Sequence, residues 1–321
     1  MNPALLLVRV LLLAFALPLP VSAQDYPSKP VRIIVPFQPG GGSDTLARML
    51  GEKLSPKWGQ PVIVENKAGA GGNLGAEYVT KAPPDGYTLF LSSPGPLVVN
   101  KSLYAALPFD PDTFVPVSII ATNYGVLAVH PGVGLDSVAA LIAFARAHPD
   151  KLNYASAGSG TTPHLAGELF KSMAGVRITH VPYKGAAPGF TGLLGGEVDM
   201  MFADVFIALP HVRSGKLRAL ALGGGKRNPL LPGVPVMAEI VPGFDYQVWQ
   251  GMVAPFGTPA AVVGRLSGAI AEAVKQPDVV KRLADVGLEA VGSTPAEMGV
   301  VMKADREKWG KVVRETGARA D

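Results

Sequence analysis

Three times along the chain an apolar run leads into a loop of glycine with small hydroxyl or amide residues, and then into an amphipathic stretch. The loops are 36–44, 66–73 and 156–163. Before them, Val31 to Val35 reads as a buried parallel strand, with Pro61 to Glu65 and Leu152 to Ala155 as two more. After the first loop, Leu46, Met49, Leu50 and Leu54 recur at helical spacing, with Ser43 or Asp44 as N-cap. After the second, a helix is expected from Leu74 to about Lys81. After the third, Pro163 opens a helix carrying Leu165, Leu169, Phe170 and Met173, and Gly175 ends it. Repeated strand–loop–helix units dictate a parallel α/β sheet. Its loops gather at the strand C-termini, where open α/β sheets bind their ligands.

The rest of the chain extends this pattern. Tyr87 to Leu91 reads as a strand ending in the loop Ser92-Ser93-Pro94-Gly95-Pro96. Leu103 to Pro116 is proline-rich and irregular, and the crossing into a second lobe is expected near it. Strands are predicted at Val117 to Ala121, Val126 to His130, Arg177 to Val181 and Val198 to Phe202, the last ending on Asp204. Helices are predicted over Leu135 to Ala147 and Ala208 to Ser214. Leu217 to Leu222 reads as a strand returning to the first lobe, followed by a strand at Val248 to Ala254. Helices at Pro259 to Lys275, Asp278 to Val286 and Pro295 to Thr316 complete the chain. The domain reading is 24–122 plus 222–321 for one lobe and 123–221 for the other, with a cleft between them. Clefts at domain interfaces are favoured ligand sites.

Composition narrows the function classes. The 321 residues are 48% hydrophobic and 17% charged, enough for packed cores. A net charge of +4 with scattered Lys and Arg lacks the concentrated basic face of a nucleic-acid binder. The absence of cysteine removes disulfides, thiol catalysis and Cys-ligated metals. At the start, Arg9 precedes an apolar run from Val10 to Leu17 that Pro18 and Pro20 break, and Val21-Ser22-Ala23 forms an A-x-A-like site. This is the pattern of a secretory signal peptide over 1–23, cleaved after Ala23, which places the product in the periplasm.

The glycine loops permit close backbone approach, and the helices after them offer unpaired N–H groups with partial positive charge. Such a start binds carboxylate or phosphate without Arg or Lys. The phosphate motifs fail: no Walker A loop occurs, and Gly69 and Gly71 are followed by Leu74 where a dinucleotide loop needs glycine. Catalytic and metal patterns fail as well. No G-x-S-x-G elbow or H-E-x-x-H motif is present, so no catalytic residue, metal or cofactor is expected. His164 and Glu168 come nearest, and His164 is either a base or a structural hydrogen-bonder. Asp199 is a cap or a brace. Asp204 either caps the next helix or accepts a hydrogen bond from a ligand amine, hydroxyl or water. Lys184 is a carboxylate partner or a solvated turn residue, and Phe37 and Tyr183 are cleft walls or ordinary core.

Taken together, the motifs resemble one family. They are Pro36-Phe37-x-Pro39-Gly40-Gly41-x-x-Asp44, Asn66-Lys67-x-Gly69-Ala70-Gly71-Gly72-Asn73, Pro84-Asp85-Gly86-Tyr87-Thr88, Leu152-Asn153-Tyr154-Ala155-Ser156, Gly160-Thr161-x-x-His164-Leu165-x-Gly167-Glu168, Val181-Pro182-Tyr183-Lys184-Gly185, Leu194-Gly195-Gly196-x-Val198-Asp199 and Gly215-Lys216-Leu217-Arg218-Ala219-Leu220. This set resembles the Bug family of periplasmic solute-binding receptors, the extracytoplasmic component of tripartite tricarboxylate transporters. The resemblance implies an α/β, two-lobed type II periplasmic-binding-protein fold that closes on a small carboxylate: a di- or tricarboxylate, acidic amino acid or aromatic acid. It implies membrane permease subunits as partners and a monomeric receptor. Ligand contacts carried over are Phe37, Gly41, Gly42, Ser43, Ala70, Gly71, Gly72 and Ser92 from the first lobe. From the second they are Ser156, Gly158, Gly160, Thr161, Thr162, His164 and Asp204. Gln38, Ala203-Asp204 and Phe190-x-Gly192 depart from the family pattern, and Asp204 lies on the side of the cleft expected to set specificity. The competing readings are an isomerase or hydrolase on the same fold using His164 or Asp204, and an orphan sensory receptor.

Overall fold

The computed structural model describes residues 26–320 except 286, so the signal-peptide reading of 1–23 and the last residue of the expected 278–286 helix lie outside the described residues. Strands β1 (Val31–Val35), β2 (Val62–Asn66) and β3 (Thr88–Ser92) pair in parallel in the order β2-β1-β3. Between them run α1 (Gly42–Trp58) and α2 (Asn73–Thr80). Helix α1 forms because Leu46, Met49, Leu50 and Leu54 share one buried face, and Gly59 in the left-handed region (φ 61°) ends it. After β3, a buried π-helical turn over Gly95–Val99 takes up the end of the loop expected at 92–96, and the short α3 (Asn100–Leu103) buries Asn100 and Leu103 while exposing Lys101 and Ser102.

The two strands predicted at 117–121 and 126–130 are one 15-residue strand, β4 (Val115–Val129). The intervening Thr122, Asn123, Tyr124 and Gly125 keep ladder bonds through the polar stretch, so the predicted break does not form. Strand β4 is common to both halves of the sheet. Its first part pairs antiparallel with β9 (Gln247–Ala254) and β10 (Glu289–Ala290). Its second part pairs antiparallel with β7 (Met200–Asp204) and β8 (Arg218–Leu222).

The second half carries α4 (Val138–Ala147), β5 (Asn153–Ser156), α5 (Thr162–Ala174), β6 (Thr179–Pro182), α6 (Ala186–Gly195) and α7 (Val205–Arg213). Strand β5 pairs in parallel with β6 and β7, as the repeated units required. One expectation is corrected: β8 does not return to the first half. It stays beside β4 residues Val126 to Val129, and the chain returns only through 223–246 into β9. Helices α8 (Ala260–Val274), α9 (Pro277–Asp285) and α10 (Pro295–Thr316) follow. A capping box between Thr294 and Glu297 starts α10.

The backbone crosses between halves at β4 and again near 223–246, and the two crossings are tied together. Gly223 N–H donates to Gly125 O at 2.7 Å, and Tyr246 N–H donates to Gly223 O at 2.7 Å. A Cβ on Gly125 would lie 2.0 Å from the buried Tyr246 ring, so only glycine lets that ring lie against the crossing strand. One apolar core is continuous under both halves, from Ile34 and Phe90 through Trp249 and Trp309 to Tyr154, Phe170 and Phe202. Separate clusters cover the outer faces: Leu46, Leu50 and Ile270 on one side, Phe190, Leu193 and Leu209 on the other.

Candidate functional site

The two halves meet along the C-terminal ends of their parallel strands. A Cβ placed on Gly71 would stand 2.9 Å from Ser159 O, and one on Gly95 would stand 2.9 Å from Gly160 O. A Cβ on Gly42 would stand 3.2 Å from the Phe206 ring. The loops predicted to line the cleft from opposite sides are therefore in mutual contact.

The helices that begin here lack side-chain caps. Gly41, Gly72, Thr161 and Asp204 hold the N-cap positions of α1, α2, α5 and α7, and none offers a cap hydrogen bond. Ser137 and Thr294 cap α4 and α10 in the ordinary way, while Gly185 and Pro259 leave α6 and α8 without side-chain caps as well. In α1 the expected cap residues do other work. Asp44 accepts from Gly40 N–H, from Asn66 and from Arg48, and Ser43 Oγ donates to Gln250 Oε1 at 2.6 Å. Burial pushes the Asp44 carboxyl up, but Arg48, the Gly40 N–H and Asn66 together hold it below its ordinary value. Its charge is thus paired within the first half. The uncapped N–H groups at the starts of α1 and α5 are left for an anion.

In the loop between β5 and α5, the polar side chains are occupied in building the loop. Ser156 Oγ accepts from Gly158 N–H at 3.1 Å and lies 2.7 Å from His180 Nε2. Thr161 Oγ1 donates to Gly158 O at 2.6 Å, and Gly160 N–H donates to His164 Nδ1 at 3.1 Å. The His164 and His180 rings stack at 4.2 Å, and His180 stacks on Tyr154 at 4.9 Å. Tyr154 in turn donates to Glu168 at 2.7 Å, which also receives Lys171. The structure therefore gives His164 a loop-bracing role, and the loop's main chain is what it presents to the opposite half.

This brace carries an acid sensitivity. Burial lowers His164 to about 4, and burial together with the neighbouring His164 lowers His180 to about 3. Both folded values lie below the unfolded value near 6.5, so the unfolded chain binds more protons between about pH 6.5 and 4. Stability is complete above that window and is lost as pH falls through it, by about 1.4 kcal/mol per pH unit for each histidine. His164→Asn keeps an acceptor for Gly160 N–H but does not titrate. Thermal melts from pH 7 to 4.5 are expected to show a shallower decline for this variant; an unchanged slope would remove the histidine pair from the account.

The remaining predicted residues take separate places. Phe37 is half-buried, and its carbonyl accepts from Asn66 at 3.0 Å. Ala70 carries φ 48° in the short turn before α2, where Tyr104 donates to its carbonyl at 3.2 Å. Ser92 ends β3 fully buried with an unpartnered hydroxyl. Thr162 is buried in the first turn of α5. Asp199 is a brace: it accepts from Asn153 N–H at 2.8 Å across β5 and β7. Asp204 does not cap α7, and instead its Oδ1 accepts from Asn123 Nδ2 at 3.0 Å. Tyr183 hydrogen-bonds Glu197 at 3.2 Å near the surface.

Several residues that shape this place carry no motif. Gln250, Asn123, Asn100, Phe206 and Tyr246 come from β9, β4, α3, α7 and the second crossing. The available signal was polarity out of place: Gln250 inside Val248 to Ala254, and Asn123 between two apolar runs. Asn100 donates to Asn73 at 2.6 Å and keeps an unpartnered Oδ1, and the Tyr246 hydroxyl is buried without a partner. Among the described residues, no group of three or more His, Asp or Glu side chains is placed to hold a metal ion.

Comparison with known proteins gives consistent matches. The family described as "Tripartite tricarboxylate transporter family receptor" matches residues 46–318. The chain is 41% identical to Protein BugT of Bordetella pertussis over 303 residues, covering 94% of this chain and 93% of that one. It superposes on R. palustris Rpa4515, solved with adipate, with a TM-score of 0.87 and 37% identity, over 92% of this chain and 100% of that one. MatC from Rhodopseudomonas palustris, solved with bound malate, gives a TM-score of 0.84 and 32% identity over 90% and 100% of the two chains.

Proposed function

Because the chain belongs to the tripartite tricarboxylate transporter receptor family, we propose that it is a periplasmic, non-enzymatic receptor that closes on a small carboxylate and presents it to membrane permease subunits. The observation that carries this reading is the convergence of uncapped helix starts from both halves on one cleft. Uncapped N–H groups favour an anion, and with α1 on one side and α5 on the other, one ligand contacts both halves. The ligand then stabilises the closed form by its preference for it. Adipate in Rpa4515 and malate in MatC support a carboxylate as the class of ligand. The leader pattern at 1–23 supports export, with cleavage after Ala23. The lobes of this reading are 24–122 with 223–321, and 123–222, the return point moved by one residue because β8 ends at Leu222.

A binding protein returns its ligand unchanged. His164 is engaged with Gly160, and the neighbouring Ser156–His180 pair is taken up in the loop, with Ser156 fully buried and bonded to Gly158, which disfavours the hydrolase alternative. Incubating the purified chain with a bound carboxylate and following the ligand by proton NMR should show no product. Steady appearance of product would replace the receptor by an enzyme.

A further inference from the structure

Asp204 is placed unlike any other carboxylate in the cleft. It ends β7 beside Gly125 of β4 and precedes α7, yet keeps part of its surface accessible. Among the described residues its one side-chain hydrogen bond comes from the neutral Asn123 amide, and no cation is paired with it. Three other acidic groups near the loops are paired with cations: Asp44 with Arg48, Glu168 with Lys171, Glu65 with Arg32. Beside Asp204 lies Tyr246, fully buried, whose hydroxyl has no partner and feels the Asp204 charge. Facing this corner is the start of α1: a Cβ on Gly42 would touch Phe206, two residues beyond Asp204, and Gln250 lies 4.0 Å away on the same side. The cleft thus has an end that favours negative charge and an end that already holds one.

A ligand joining these ends meets opposite demands. Its carboxylate suits the N–H groups at the start of α1. A second carboxylate against Asp204 would set like charges together in a poorly solvated corner, which is strongly unfavourable. An ammonium there would compensate a carboxylate that now has a single neutral partner. We infer that the ligand of this receptor is an amino-carboxylate, its carboxylate on the helix starts and its ammonium group on Asp204, with Asn123 holding the aspartate in place. This rests on the reading of the cleft as a carboxylate site. Burial also raises Asp204 above its ordinary value, the Asn123 hydrogen bond opposing, as expected for a carboxylate that lacks a cation.

Length-matched pairs test it: 6-aminohexanoate against adipate, and 4-aminobutyrate against succinate, titrated by calorimetry into the wild type and Asp204→Asn. The wild type should prefer the amino member by about tenfold or more, the size of an unfavourable charge placement. Asp204→Asn should erase or invert that preference while still binding the dicarboxylate. A wild type that prefers the dicarboxylates, or an Asn variant with the wild-type preference, overturns the inference and leaves the carboxylate receptor standing. If neither member of either pair binds while other carboxylates do, the inference falls in the same way. If no carboxylate of any kind binds, the receptor reading falls with it.

Discussion

Replacing Gly160 by valine is expected to weaken carboxylate binding by about a hundredfold or more, equivalent to about 2.7 kcal/mol, with the fold retained. Gly160 has φ +83°, a conformation that costs a β-branched residue about 1–2 kcal/mol. Its added Cβ would also stand 2.7 Å from Asn100 Oδ1 and from Leu103 Cδ2, both on the opposite half. The strain falls at the contact between halves and meets the packed core at Leu103, so most of the packing on either side keeps its contacts. Circular dichroism should therefore show a folded protein, with a melting point lowered only modestly. Gly41→Val is the informative control. Gly41 has φ −79°, and its Cβ would meet only Gln38 O at 3.6 Å, so valine there strains nothing in the protein. Binding lost in both variants places the anion at the start of α1 and makes contact between the halves necessary. Wild-type affinity in Gly160→Val would mean that the halves need not meet at this loop.

The largest expected loss of stability is for Trp309→Ala. Trp309 lies on α10, 1% exposed, in the one core that runs under both halves. Helix α10 packs against the π-helical turn at Gly95–Val99 and against α5, which belong to different halves, so the indole fills space that no single half can close over. Truncating a buried tryptophan costs about 3–5 kcal/mol in lost transfer energy and cavity. In a chain of this size that corresponds to a melting point lower by about 5–8 °C. A loss below about 1 kcal/mol would show that α10 is an appended helix and that the halves do not share a core.

The periodic parts of this fold were legible and the crossings were not. Apolar runs such as 31–35 and helical spacing such as Leu46, Met49, Leu50 and Leu54 identify elements whose partners lie close in sequence. Strand β4 was misread as two strands because Thr122-Asn123-Tyr124-Gly125 looks like a turn in isolation. What keeps it extended is pairing with β9, more than a hundred residues later. The same reason made β8 read as the return to the first lobe: Arg218 to Leu222 carries no sign of which strand it will join. At the site, glycine loops announce themselves because their backbone requirement is local. The roles of Ser156, Thr161 and His164 could not be told apart by type, since a hydroxyl that holds a loop and one that holds a ligand are the same residue. Asn123, Gln250 and Tyr246 reach the cleft only through sheet register and the second crossing, and no motif encodes either.

The central claim is that uncapped helix starts from two halves form an anion site. The most direct test is thermal denaturation of residues 24–321 with a panel of small carboxylates, each beside its neutral amide. An acid at a hundred times its Kd should stabilise the fold by about 2.7 kcal/mol, while the matching amide leaves it unchanged. Equal stabilisation by acid and amide, or stabilisation by neutral compounds alone, would contradict the claim.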